Sequence, residues 1–165
     1  MNASTIIAIC ATVIAVASLV VSVYEARATR AHNRHSVQPL LVLTTRFPIG
    51  GTAGLRLANS GLGPAKVIGT ELILDGVRFG DFSRSSIDQL RDKLSVRPHA
   101  TTLGGQPFLN TDYEEFLLSV DPYDPSQHRE FRELIEHRLR IEIQYSSLYD
   151  ERFTATYDHM EEPRR

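Results

Sequence analysis

The chain has 165 residues, 18 basic and 20 acidic side chains, a formal net charge of −2 and a single cysteine, Cys10. From Phe47 onward 14 Lys and Arg face 19 Asp and Glu, a net of −5, which makes nucleic acid a poor partner. No Asp, Glu, Lys, Arg or His precedes Glu25, so the charge begins where an apolar segment ends.

That segment, Ile6 to Val23, has ten Ile, Leu or Val residues. As a helix it spans roughly 27 Å, close to a hydrocarbon core of about 30 Å with Ser4, Thr5 and Tyr24 at the interfaces. A transmembrane helix is expected. The rival is a cleaved signal peptide, because Ala26-Arg27-Ala28 has the small-x-small form of a cleavage site. Against it, MNAST carries no Lys or Arg and the apolar run exceeds an h-region of roughly 7 to 15 residues. An uncleaved anchor fits better.

Arg27, Arg30 and Arg34 follow the helix and no basic side chain precedes it. The positive-inside rule then places the C-terminal domain in the cytoplasm and the N-terminus outside, in a single pass of the cell's inner (plasma) membrane. This basic collar suits anionic lipid headgroups, the first expected partner. Ala8, Ala11, Ala15, Ser18 and Ser22 recur at steps of three and four. Such a small-residue face can associate with a second copy or with another protein's transmembrane helix, although Ala and Ser are also simply common in such helices. Because Cys10 lies inside the anchor, cysteine usage does not settle the compartment.

The segment 25–38, rich in helix formers and polar all round, reads as a juxtamembrane stalk after an anchor at 1–24. Pro39 stops a helix, and a domain is expected over 39–158, with a flexible tail at 159–165. Its first strand is Pro39–Phe47, followed by a turn at Pro48–Gly54 and a second strand through Leu55 and Leu57. Beyond Asn59–Ala65 comes a longer strand, in which Ile68, Leu72 and Leu74 are expected on one face, then an Asp75-Gly76 hairpin into Val77–Phe79. Ser86 is expected to cap a helix with Ile87, Leu90 and Leu94 inward and Gln89 at the capping-box position. The stretch 101–107 is turn-rich, and Glu115–Val120 reads as a strand or a short helix.

Asp124-Pro125-Ser126-Gln127 signals a helix start, with Asp124 as N-cap and Phe131, Leu134 and Ile135 as the buried stripe. The period then changes to 2: Leu139, Ile141, Ile143 and Tyr145 alternate with polar residues, and Phe153, Ala155 and Tyr157 return as a hairpin partner. Some seven strands with two short helical insertions predict a mainly β domain, an antiparallel, immunoglobulin-like β-sandwich.

The run Leu57–Ala65, LANSGLGPA, and the terminal hairpin Tyr145–Phe153 resemble uncharacterised bacterial single-pass membrane proteins with an N-terminal anchor helix and a β-sandwich domain. The resemblance covers Pro39 to about Asp158 and implies architecture only. It carries no activity, cofactor or catalytic residue onto these positions, and Asp150 stands where a turn glycine is common.

Asn59, Gly61, Gly63 and Pro64 read as a structural turn, with the glycines at positive φ, because the phosphate-loop alternative needs a following helix and here a strand follows. Asp121, Asp124 and His128 are conceivable metal ligands within eight residues, but capping explains Asp124 more simply. His99, His137 and His159 lie in different elements, no nucleophile elbow supports a triad, and Glu114-Glu115 and Glu161-Glu162 read as solvated charges. No cofactor, metal or catalytic residue is assigned. The expected function is a non-enzymatic binding, adaptor or sensor module. Alternatives are a membrane-bound hydrolase whose site is assembled from distant residues, and a periplasmic or secreted binding domain.

Overall fold

The structure, a computed structural model, describes residues 2–103 and 108–158, and the backbone alone at residues 5, 6, 8 and 30–36. The expected tail at 159–165 and residues 104–107 of the turn-rich stretch lie outside the described residues. The chain divides into two units, 1–36 and 37–165.

The first unit is one helix, α1, Ala3–Ser36. It runs without a break from the apolar segment through the polar stalk, because Glu25–Ser36 contains no Gly or Pro and several strong helix formers. Its apolar window, Ile9–Thr29, is long and apolar enough to cross a membrane, and none of it is buried. Val13, Ile14 and Leu19 are all more than 60% exposed.

The second unit is built from two antiparallel sheets. Among the described residues its strands are β1 (Leu41–Arg46), β2 (Ala53–Asn59), β3 (Ala65–Leu74), β4 (Val77–Gly80), β5 (His99–Ala100), β6 (Phe108–Leu109), β7 (Glu114–Val120), β8 (Leu139–Ser146) and β9 (Arg152–Asp158). One sheet has the order β1-β2-β7-β5; the other has β4-β3-β8-β9, with β6 also pairing to β3. Leu41, Leu55, Leu57, Leu117 and Leu118 from the first sheet join Leu72, Leu74, Ile141, Ile143 and Tyr145 from the second in a single buried cluster. Strand β8 alternates inward apolar and outward polar residues as its period of 2 dictates. In β7, which pairs with β2 and β5, the run from Leu117 to Val120 is wholly buried, so both faces of the strand are covered there.

The hairpin between β3 and β4 turns through Asp75 (φ 52) and Gly76 (φ 78), the two left-handed residues that a type I′ turn needs. Arg138 clamps it: Nε donates to Asp75 Oδ1 at 2.8 Å, Nη2 to Oδ2 at 2.6 Å, and the Asp75 N–H bonds to the Arg138 carbonyl. The guanidinium holds the Asp75 carboxyl below its ordinary range. In the β8–β9 turn Asp150 takes φ 60, adopting the left-handed conformation without a glycine.

Three expectations need correction. Ile68 does not share the face of Leu72 and Leu74: it is 49% exposed. The register of β3 on β8 steps from Val67↔Tyr145 to Gly69↔Gln144, so Ile68 is the extra residue of a bulge and parity reverses across it. The helix expected from Ser86 starts a turn earlier as α2, Arg84–Arg91, with the extended Ser83 as its N-cap and the Ser83 carbonyl accepting from Ile87 N–H. Ser86 Oγ instead donates to Asp81 Oδ1, and only Ile87 and Leu90 are buried on α2. Asp124 caps a turn, and the α-helix proper, α3, is Arg129–Glu133. Asp124 Oδ1 accepts from the backbone and hydroxyl of Ser126, while its own N–H donates to His128 Nδ1.

α3 widens into a π-helical turn, Leu134–Arg138, that leads directly into β8. The Ile135 carbonyl at this end accepts from the Tyr157 hydroxyl at 3.0 Å, satisfying a helix-terminal acceptor. Burial, with Glu136 nearby, pushes the Tyr157 phenol up to about 12, and burial with Glu115 nearby raises that of Tyr113.

Two predictions follow from this packing. Leu72→Ala should lose about 2–5 kcal/mol in chemical denaturation, whereas Ile68→Ala should change stability by about 0.5 kcal/mol or less; equal losses would contradict the bulge. A raised folded-state phenol means that stability is complete below the unfolded value of about 10 and declines as pH rises toward about 12. Tyr157→Phe should lose about 1 kcal/mol at neutral pH and reduce that alkaline decline, leaving the part due to Tyr113, as read from denaturation midpoints across the alkaline range.

Candidate functional site

Asn59 is 4% exposed at the end of β2. Its Oδ1 accepts from the N–H groups of Leu40 and Gly61, both at 3.1 Å. Its Nδ2 donates to the carbonyls of Gly63 at 2.9 Å, Asn110 at 3.0 Å and Leu109 at 3.2 Å. One amide thus ties the start of β1, the loop 60–64 and the chain following β6. The Ser60 and Leu62 N–H groups add bonds to the carbonyls of Leu40 and Gln38.

Gly61 and Gly63 do not hold the left-handed φ expected of them. They are glycines because another backbone lies against them: a Cβ at Gly61 would overlap Leu40 N and Gln38 O, and one at Gly63 would overlap the Val37 carbonyl. Pro64 is half-buried and lines a cavity of about 550 Å³ with Asn110, Thr111, Asp112 and Tyr113. Asn59, Gly61 and Gly63 thus fasten the loop 60–64 to residues 37–40, a backbone-packing role.

A different place on the surface concentrates charge. Arg84, Asp88 and Arg91 lie along α2, and with Ile87, Arg97, Ala100 and Thr102 they line a cavity of about 460 Å³. Because Ile87 and Leu90 are drawn into the core, the adjoining α2 positions carry this polar lining. Arg91 Nη1 and Arg97 Nη2 each approach Asp88 Oδ1 at 3.1 Å, and Arg84 Nε lies 3.9 Å from Oδ2. Arg97 is also 3.5 Å from Asp92. The Nε of Arg91 is buried and makes no hydrogen bond. The arginines escape notice when the sequence is scanned for catalytic motifs. Their signal is nevertheless present: Arg84, Asp88 and Arg91 recur at steps of four and three, neighbours on one helix face. Arg97 lies beyond the helix and joins them only through the fold.

A third cavity, about 530 Å³, runs beside β3 at Val67–Thr70 and the segment Asp81–Ser83. There the Thr70 hydroxyl accepts from Phe82 N–H at 2.8 Å, and hydrogen bonds from Ser83 and Ser86 keep the Asp81 carboxyl below its ordinary range.

The remaining residues singled out in the sequence are dispersed. Asp121 Oδ2 accepts from Thr52 Oγ1, the Asp124 carboxylate is occupied by Ser126 and Gln127, and the buried His128 stacks on Tyr123. Among the described residues no three His, Cys, Asp or Glu are grouped to hold a metal ion. Glu114 pairs with Arg56 across the β2–β7 ladder. Ala11, Ala15, Ser18, Ser22 and Arg27 are exposed along α1; the side chains of Ala8, Arg30 and Arg34, and all of His159, Glu161 and Glu162, lie outside the described residues.

Asn59→Ala would leave two N–H groups and three carbonyls without this partner, and should lower stability by about 3 kcal/mol. Gly61→Ala and Gly63→Ala should also destabilise, by displacing the 37–40 backbone. Thermal unfolding checks all three, and a wild-type midpoint for Gly63→Ala would contradict the steric account. Comparison of the chain with family models, curated proteins and solved structures returns no match.

Proposed function

We propose that the protein is a membrane-anchored, non-enzymatic binding module, an adaptor or sensor, whose domain lies on the cytoplasmic side of the plasma membrane. The observation that carries this reading is α1: an apolar window of 21 residues with none of its surface buried. Exposing that many Ile, Leu and Val side chains to water is unfavourable by roughly 1.5–3 kcal/mol for each large residue, and a bilayer relieves it. Arg27, Arg30 and Arg34 support the orientation, since all three follow the window's apolar centre and no basic side chain precedes it. They also supply charge complementary to anionic headgroups.

The domain is read as an immunoglobulin-like sandwich. The order β1-β2-β7-β5 corresponds to strands A-B-E-D of that topology, and β4-β3-β8-β9 to C′-C-F-G. Such a frame displays loops and helical insertions on a rigid core, which suits binding. The stripe Ala8, Ala11, Ala15, Ser18 and Ser22 is the face on which a second copy or a partner transmembrane helix would pack.

Reporter fusions at the C-terminus test the topology. A reporter that fluoresces only in the cytoplasm should be active, and one that works only after export should be silent. The opposite pattern would place the domain outside and overturn the cytoplasmic reading.

A further inference from the structure

We propose that the cleft lined by Arg84, Arg91 and Arg97 binds a phosphate-type dianion, with Asp88 holding the guanidinium groups in the ligand's place while the cleft is free. The inference deepens the binding-module reading by naming a ligand class, and its test is independent of membrane topology.

Charge is the first support. The lining carries three guanidinium groups and one carboxylate, an excess of two positive charges; Asp92, beside Arg97 at 3.5 Å, reduces it to one. This excess stands on a domain that is net negative from Phe47 onward. It is therefore a local construction, not a sample of the surrounding surface. A phosphate monoester, at about −1.5 to −2 near neutral pH, neutralises the excess of the lining itself, and with Asp92 counted a single negative charge does so; charge therefore favours an anion, and the number of acceptor oxygens distinguishes its class.

Geometry is the second. Both Arg91 and Arg97 reach the same oxygen of Asp88, each by one terminal nitrogen at 3.1 Å, and Arg84 stops 3.9 Å from the other oxygen. Each guanidinium has five N–H donors arranged as a fork, so one end-on carboxylate uses a small part of their capacity. Only 23% of the Arg91 side chain is exposed, so its guanidinium is held beside Asp88 by the surrounding packing. A tetrahedral oxyanion presents several acceptor oxygens and can take bonds from more than one fork at once.

The cleft is also larger than a phosphate group requires. At about 460 Å³ it falls within the roughly 300–1,000 Å³ of small-ligand pockets, and its lining is mainly polar, with Thr102 adding a hydroxyl. The ligand class is thus a phosphomonoester carried by a small organic group. That chemistry is available from a soluble metabolite or from a phosphomonoester lipid headgroup.

The test uses the full-length protein in phosphatidylcholine nanodiscs at low ionic strength, with inorganic phosphate titrated in and heat or arginine Nε–H resonances recorded. Arg97→Gln, at a side chain 56% exposed, should weaken phosphate binding about tenfold while the protein stays folded. Asp88→Asn should strengthen it about tenfold, because it removes the internal competitor and leaves Arg84 and Arg91 uncompensated, with Arg97 still beside Asp92. That sign separates a binding site from an ordinary ion-pair network, in which Asp88→Asn would lower the melting temperature and bring no gain in phosphate affinity. The absence of phosphate binding in both wild type and Asp88→Asn, or equal binding by wild type and Arg97→Gln, would overturn the proposal. A parallel titration in discs containing phosphatidic acid assigns the source: a suppressed response to added phosphate identifies the headgroup as ligand, and an unchanged response identifies a soluble phosphomonoester.

Discussion

The five hydrogen bonds of the Asn59 side chain join the residue leading into β1, the loop between β2 and β3, and the end of β6 with the residue after it. Buried amides are stable only when nearly all their donors and acceptors are matched, and here both ends of the amide are matched. The same junction brings backbone against backbone at Gly61 and Gly63, so a side chain at either position would displace residues 37–40. The chain enters the domain through Val37 to Leu41, which lie at this junction.

With that end closed, the two sheets enclose one apolar cluster and the insertions are packed around it. Ile87 and Leu90 of α2 and Phe131, Leu134 and Ile135 of the α3 region all enter the cluster. Their burial supplies most of the energy that holds these short helices, which would be marginal alone. Ion pairs play a smaller part. Arg138–Asp75 is bidentate but about half exposed, and exposed pairs contribute about 1 kcal/mol at most; its effect is to orient the β3–β4 hairpin.

The arginine-lined cleft is a consequence of this arrangement. α2 follows β4, an edge strand of one sheet, and the chain then reaches β5, an edge strand of the other. A helix in that connection gives its apolar face to the core and leaves Arg84, Asp88 and Arg91 to the outside, where Arg97 meets them on the way to β5. The polar cleft therefore rests on a helix anchored by buried side chains, so its charged groups have a rigid base.

The sequence alone determined what depends on near neighbours. Hydropathy over Ile6–Val23 specified a helix fit for lipid, Asp75-Gly76 specified a hairpin because two adjacent left-handed residues are needed there, and strict alternation specified β8. The helix starts near Ser83 and Asp124 were legible only to within a turn, since several Ser, Asp and Gln side chains could each serve as caps. Other features needed the tertiary structure. The bulge at Ile68 reverses which residues of β3 face inward, and it is set by the register against β8, a strand more than sixty positions away. Gly61 and Gly63 carry the same letter whether a position needs left-handed φ or simply lacks room for a Cβ, and only the placement of Val37–Leu40 beside them decides between the two. The same holds for the cleft: spacing on α2 aligns Arg84, Asp88 and Arg91, but the meeting of Arg97 with Asp88 exists only once β5 has paired with β7, because contacts between elements follow the folded path of the chain and not its order.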